Sequence, residues 1–318
     1  MEGGFPMEVH TKIRTKSNNK PRFKSGLQAR KDALSGYLYV APFFILFLTF
    51  GIFPIFYNLY ISLFSWKLFG AEPEFIGLQN YVWLLTDDPT FIKAVVNTFS
   101  IWIISTIPQL FIALVLAYVL NQAFVKMKDL FRMAIFMPFI TSILAVTIIF
   151  NSLFSRDFGL INFILGTEGL DWKNNRILTH FAIATMVNWR WIGYNTIIYM
   201  AGLQTIGKDL YEAATIDGAN KIQQFFYITI PQLRPIILFT IIMSSIGGMS
   251  LFIEPLVFLD LRGGSANQGL TMFLYLYETA FGTKYNIGYS AAISWVMFVI
   301  VVMFALLNWF ITTKVIKD

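Results

Sequence analysis

Residues 94–120 read AVVNTFSIWIISTIPQLFIALVLAYVL and carry no charged side chain. A bilayer core about 30 Å thick needs roughly 20 apolar residues in a helix. The stretch is therefore long enough to cross a membrane, and several times longer than an ordinary strand. Five other stretches share its character: 36–62, 133–153, 180–203, 235–259 and 287–312. Only closed barrels compete with helices as spanning structures, and the two-residue alternation they require is absent. The expected fold class is an all-α membrane protein with six transmembrane helices.

Composition supports that reading. Of 318 residues, 56% are hydrophobic and 17% aromatic, while 13% are charged, about half the share usual in soluble domains. A soluble core cannot hide so much apolar surface, whereas lipid lets apolar side chains face outward. Pro42, Pro54, Pro108 and Pro138 lie inside apolar runs, where neighbouring helices can satisfy the freed carbonyls. Trp66, Trp83, Trp102, Trp172 and Trp309 are expected near span ends. The net charge of +6 does not point to nucleic acid, because the basic residues flank apolar runs instead of forming a binding stripe. The absence of cysteine excludes disulfides and thiolate metal sites. His10 and His180 are isolated and read as ordinary polar residues, so no metal site is expected.

Orientation follows the basic residues of short loops. Lys12, Arg14, Lys16, Lys20, Arg22, Lys24, Arg30 and Lys31 precede the first stretch. Lys126, Lys128 and Arg132 follow the second, Lys208, Lys221 and Arg234 follow the fourth, and Lys314 and Lys317 end the chain. That side holds 16 of the 24 basic residues, so both termini are expected in the cytoplasm. Residues 1–35 are polar and without periodicity and read as a disordered basic tail. They resemble the positive region of a signal peptide, but a full span follows with no cleavage site, so it stays as the first helix. The expected domains are this tail and a six-helix transmembrane domain, 36–318, with a long cytoplasmic loop at 204–234.

That loop contains Leu210-Tyr-Glu-Ala-Ala-Thr-Ile-Asp-Gly-Ala219 and then Phe225-Phe-Tyr-Ile-Thr-Ile-Pro-Gln-Leu-Arg-Pro235. Ala213 and Ala214 favour helix, Glu212 suits a position near its start, and Gly218 can adopt the left-handed conformation that stops it. A two-turn helix, a stop, and a second short helix ending near Pro231 are expected. Two alanines on such a helix let another protein approach closely.

These residues resemble the permeases of binding-protein-dependent ATP-binding-cassette importers. Their cytoplasmic loop reads Glu-Ala-Ala, three residues, Gly, nine residues, Ile, one residue, Leu-Pro. Glu212, Ala213, Ala214, Gly218, Ile228 and Pro231 stand at those spacings, with Ile230 where leucine is usual. Phe75-Ile-Gly-Leu-Gln-Asn-Tyr81, Asn97-Thr98, Gly159-Leu-Ile-Asn162, Ala201-Gly-Leu-Gln204 and Ile216-Asp-Gly-Ala219 resemble the maltose-type sugar branch. So do Gly263-Gly264, Ala280-Phe281 and Gly288-Tyr-Ser-Ala291. The resemblance implies a type I permease bundle in the bacterial cytoplasmic membrane that imports a sugar, a di- or oligosaccharide, by alternating access. It implies four protein or solute partners: a second homologous permease, a dimeric cytoplasmic ATPase, an extracytoplasmic solute-binding protein and the sugar, besides surrounding membrane lipid. ATP and magnesium would sit on the ATPase, since this chain has no phosphate-binding Gly-x-x-x-x-Gly-Lys loop.

By the same resemblance, a coupling helix would include Glu212, Ala213, Ala214, Asp217, Gly218 and Ala219. Glu212 would make polar contacts in the ATPase cleft, the alanines would pack closely, and Gly218 would allow the turn. The competing reading of Asp217, like that of Lys208, Asp209 and Lys221, is ordinary solvated loop charge.

A substrate path is sought among polar groups inside spans, which are expensive there. Asn188, Trp189, Arg190, Trp191, Tyr194 and Asn195 crowd the fourth stretch, and Glu254 follows Gly247-Gly248 in the fifth. Flat aromatic faces and hydrogen-bonding groups suit sugars. Equally open is an interfacial aromatic belt with Arg190 reaching toward water and Glu254 packed on a partner. A permease for glycerol phosphate, a polyamine or an amino acid is an alternative, although phosphate would favour further cations beside Arg190. An enzyme lacks support, because there is no Gly-x-Ser-x-Gly, no His-Glu-x-x-His and no His/Asp cluster. An ion channel would conduct without an ATPase.

Overall fold

The computed structural model describes residues 26–70, 72–122, 126–167 and 169–317. The tail up to residue 25, with His10 and six of the basic residues named above, lies outside them. The chain divides into two compact units, to Phe56 and from Tyr57.

The first unit is one helical run: α1 (Gly26–Leu46), a π-helical turn (Phe47–Ile52) and the start of α2 (Phe53–Ile61). The helix begins at Gly26, ten residues before the expected span, because nothing between Gly26 and Gly36 breaks it. Pro54 explains the π turn. Proline lacks an amide hydrogen, and its ring presses on the carbonyl four residues back. That carbonyl belongs to Phe50, inside the widened turn. None of the apolar window in Gly36–Ile61 is buried.

The second unit opens with a short antiparallel pair, β1 (Phe64–Ser65) and β2 (Glu74–Phe75), and with α3 (Gln79–Thr86). The long α4 (Pro89–Asn121) follows. Asp88 caps it by accepting from the amides of Thr90 and Phe91, both at 3.0 Å, with Pro89 in the first helical position where no donor is missed. The third stretch is broken. α5 (Lys128–Ile140) and α6 (Ile143–Leu153) meet at 91° instead of forming the expected straight span. Thr141 is extended at the break, and Pro138 weakens the turn just before it. A short α7 (Leu160–Leu165) precedes α8 (Arg176–Leu203), which Asn175 caps through the amides of Ile177 and Leu178.

The loop after α8 forms α9 (Lys208–Ile216) and α10 (Lys221–Gln224). The second short helix does not end near Pro231. It runs through a π-helical turn (Phe225–Thr229) into α11 (Ile230–Met249), so Lys221–Met249 is one continuous helix. The reason matches that at Pro54: the carbonyl four residues before Pro231 is that of Tyr227, within the widened turn. The expected fifth span is in turn interrupted at 250–252, and α12 (Ile253–Phe258) continues after the gap. α13 (Met272–Tyr277), a third π turn (Glu278–Gly282) and α14 (Ile287–Lys317) complete the chain.

Among the described residues four helical runs are long and apolar enough to cross a membrane, or five if the bent pair is one broken span and not a re-entrant loop. α8 is as long, but Asn188, Trp189, Arg190, Tyr194 and Asn195 dilute its apolarity. Small residues bring backbones together, as expected where lipid gives no hydrophobic drive to association. A Cβ on Gly193 would lie 1.8 Å from the carbonyl oxygen of Ile135, so α5 touches α8 directly. Ala113 and Ala117 of α4 are fully buried in a cluster with Tyr199, Met200 and Leu203 of α8 and Leu233 of α11.

Trp102 is mid-helix, and Trp172, just before α8, is buried against protein. Trp102 packs edge-on against Phe304 at 4.6 Å inside the bundle. Trp172 is buried and donates to Asn162 Oδ1 at 2.6 Å. His180 is buried too: Nε2 donates to the Gln268 carbonyl at 2.7 Å, which leaves Nδ1 to accept from Ser100 Oγ at 2.8 Å. It fastens α4 and α8 to the loop before α13.

Candidate functional site

Two regions carry functional geometry. The first is α9. Its end is a Schellman stop: Gly218 N–H donates to the Thr215 carbonyl at 3.1 Å, and Ala219 N–H to the Ala214 carbonyl at 2.8 Å. Gly218 has φ +82° with open space where a Cβ would point, so glycine is needed there for conformation and not for clearance. The next helix starts with a capping box between Asn220 and Gln223. A cavity of about 320 Å³ opens between the two, lined by Ala214, Asp217, Gly218, Ala219, Gln223 and Tyr227 among others. Tyr227, in its lining, is 80% exposed, and Ile216 and Ile222, on the two helices that flank the turn, are 86% and 70% exposed. Apolar side chains exposed together in this way make a candidate docking surface. Ala213 is exposed and Ala214 half-buried. Glu212 faces a different cavity, of about 410 Å³, with Tyr118, Lys208, Tyr211 and Lys221. The six residues expected to couple therefore share one helix and its stop, but Glu212 lines a different cavity from Asp217 and Ala219.

The second region is the polar part of α8. Trp191 and Tyr194 form an aromatic group with Phe139 of α5, at ring separations of 5.3 and 4.6 Å, and lie 5.4 Å from each other. Asn195 is buried and donates to the Trp191 carbonyl at 3.2 Å and to Ser244 Oγ at 3.3 Å. Gln109 of α4 donates to the same Ser244 oxygen at 3.2 Å. Three helices thus meet on one hydroxyl. Arg190 interacts electrostatically with buried Glu254 on α12. The buried Asn188 Oδ1 and Arg190 Nε have no partner among the described residues. A buried polar atom left unpaired is costly and signals an absent partner. Trp189 points elsewhere, 43% exposed and 5.9 Å from the Phe150 ring.

The structure therefore groups Trp191, Tyr194 and Asn195 and sets Trp189 apart. Sequence reading missed Gln109, Ser244 and Phe139. Gln109 had no distinctive signal, because Asn97 is a second amide in the same apolar run. Phe139 had none, because one phenylalanine among 33 is not distinctive.

The broken spans add a physical constraint. Irregular backbone at membrane depth is tolerated only inside protein or along a watery cavity. Ser142, at the α5–α6 break, is exposed in this chain. That face is therefore unsuited to lipid.

Residues 91–313 match the family model described as "Binding-protein-dependent transport system inner membrane component". The lactose transport system permease protein LacF of Rhizobium radiobacter is 36% identical over 291 residues, covering 90% of this chain and 96% of that protein. The arabinooligosaccharides transport system permease protein AraP of Bacillus subtilis is 37% identical over 277 residues, with 86% of each covered. The trehalose/maltose permease MalF of Thermococcus litoralis is 29% identical over 282 residues, 87% of this chain and 92% of that protein. Among solved structures, a chain of a bacterial alginate ABC transporter, in complex with its alginate pentasaccharide-bound periplasmic protein, superposes with a TM-score of 0.79. The two are 19% identical, and the match covers 93% of this chain and 99% of that one. At that identity the likeness concerns the fold.

Proposed function

The chain belongs to the family of binding-protein-dependent transport system inner membrane components, and we propose that it is one of two permeases that import a di- or oligosaccharide. As a family member it is a multi-pass protein of the cytoplasmic membrane and a transport component, not an enzyme. The sugar is read from the relatives' substrates and from α8. There, aromatic faces (Trp191, Tyr194, Phe139) stand beside amides (Asn188, Asn195, Gln109), the combination that suits an amphipathic, hydroxyl-rich ring. The unpartnered Asn188 Oδ1 is the observation that carries this reading.

In this reading six spans cross the membrane with both termini inside, and α8 is the fourth. A solute-binding protein delivers the sugar outside, while a separate ATPase dimer, holding ATP and magnesium, closes inside and moves α9. The bundle then reorients as rigid bodies, without chemistry in this subunit. Glu212 and the cavity beside Gly218 supply the contact with the ATPase. Arg190 Nε, also unpartnered, favours a second reading in which the solute carries an anionic group.

The test is uptake by the reconstituted complex with its binding protein, offering lactose, arabino-oligosaccharides, maltose and glycerol phosphate in parallel. ATP-dependent accumulation of a neutral saccharide is expected. Accumulation of glycerol phosphate alone would establish the second reading in its place.

A further inference from the structure

The turn between α9 and α10 contains a left-handed glycine with open space around it, so by itself it is a soft joint. Four side chains close a hydrogen-bonded ring across it. Thr215 Oγ1 donates to the Tyr211 carbonyl at 2.7 Å. Gln224 Nε2 donates to Thr215 Oγ1 at 2.9 Å and to the Ala219 carbonyl at 3.2 Å. Thr229 Oγ1 donates to the Gln224 carbonyl at 3.4 Å, and its lone pairs receive the Tyr211 hydroxyl at 2.9 Å. Each threonine hydroxyl thus has one role as donor and one as acceptor, and the Tyr211 hydroxyl donates. Two members of the ring are out of water, Gln224 at 1% and Thr229 at 0% exposure. The ring reaches the π-helical turn before Pro231, since Thr229 is the last residue of that turn.

We propose that Tyr211, Thr215, Gln224 and Thr229 brace the Gly218 turn, so that α9 and the helix Lys221–Met249 move as one body and a displacement of α9 reaches the membrane undiminished. These are positioning residues, and none belongs to the Glu-Ala-Ala-x-x-x-Gly motif positions. The proposal rests on the reading of α9 as the helix that meets the ATPase. Tyr118 extends the brace sideways: its hydroxyl donates to the Lys221 carbonyl at 2.9 Å and its ring lies 4.9 Å from Phe225, so the end of α4 is drawn into the same body.

The test uses the full transporter in proteoliposomes, with sugar accumulated per ATP hydrolysed as the readout. Tyr211→Phe removes the link to Thr229, and Thr229→Val removes that link together with the long bond to the Gln224 carbonyl; each is expected to lower the ratio at least about fivefold, the worth of one net hydrogen bond. The double variant is expected to be no worse than Thr229→Val alone, since both break the same link. Gln224→Met, on the other arm of the ring, is expected to do the same, while Thr229→Ser keeps the hydroxyl and the wild-type ratio. A cysteine at Ala214 cross-linked to the ATPase monitors docking in every variant. An unchanged ratio in Tyr211→Phe, Thr229→Val and Gln224→Met, with cross-linking intact, overturns the brace. Loss of cross-linking in the otherwise wild-type chain overturns the docking of α9 itself, and the brace with it.

Discussion

The stretch 208–219 and the stretch 188–195 lie within one loop of each other on the chain but take their shape from opposite sources. The first is set by its own residues: alanines that favour helix, a glycine that stops it, and amides that close on carbonyls three and five residues back. The second is helical throughout and owes its character to other helices. Asn195 is held by Ser244, Trp191 and Tyr194 lean on Phe139, and Gly193 rests on Ile135. A locally specified element can fail without disturbing its surroundings. A site assembled from four helices cannot.

That contrast predicts which substitution is worst. Gly193→Val puts carbon where the Ile135 carbonyl already stands, so α5 and α8 must part, at a cost of about 3 kcal/mol or more. The folded, detergent-stable fraction should collapse, as read by size-exclusion profile and melting temperature. A stable variant would show that the helices separate easily and that the aromatic wall is not fixed by this contact.

Gly218→Val is the local counterpart. No atom lies where its Cβ would point, so only the left-handed backbone is strained, by roughly 1–2 kcal/mol. Membrane insertion and melting temperature should hold, while binding-protein-stimulated ATP hydrolysis and uptake fall together. Glu212→Ala should act in the same direction more mildly. Full stimulation in both would remove α9 as the transmission element.

A smaller effect is expected from Ser244→Ala, which leaves the Gln109 and Asn195 amides without their shared acceptor at a cost of about 1 kcal/mol. Uptake should drop severalfold with the complex still assembled. Trp189→Ala, on the outward face of the same helix, should leave uptake near normal. Equal losses in the two would dissolve the distinction drawn within α8 and favour the aromatic belt.

The smallest effect is electrostatic. The side-chain amide of Asn174, with the backbone amides of Lys173 and Asn174 and the Arg156 charge, holds the Asp171 carboxyl below its usual pKa. Its contribution to stability is fully present above the unfolded carboxylate pKa and is lost only as pH falls through the lower folded value. Melting temperatures of the wild type and Asp171→Asn should therefore differ by a constant amount from neutral pH to about pH 5, and converge only in stronger acid. A gap that closed near pH 6 would contradict the local cage.

What was legible in the sequence divides along the same line. The Gly218 stop was readable because glycine, alanine and spacing act over one turn. The apolar stretches were readable because lipid selects length and composition over whole segments. The breaks at 141–142 and 250–252 were not, because neither carries a proline or charge at the break itself, and tertiary packing decides where a long apolar run bends. The passage of helix through Pro231 was misread for a related reason: the π-helical turn that accommodates it leaves no composition signal. In the candidate path, polar residues of α8 could be found because polarity is rare in a span, whereas their partners on α4, α5 and α11 became visible only in three dimensions.

The contact between Gly193 and Ile135 bears on how this transporter can evolve. Where two helix backbones touch, no rotamer can adjust the spacing, so the wall carrying Trp191, Tyr194 and Phe139 is closed to variation in size. Gly247, on the facing helix, has room: a Cβ there would meet only the Trp191 ring, at 3.8 Å. Adaptation to larger or smaller solutes should therefore accumulate on α11, and a library randomised there should yield transporters of altered preference, while one randomised at Gly193 yields only unfolded chains.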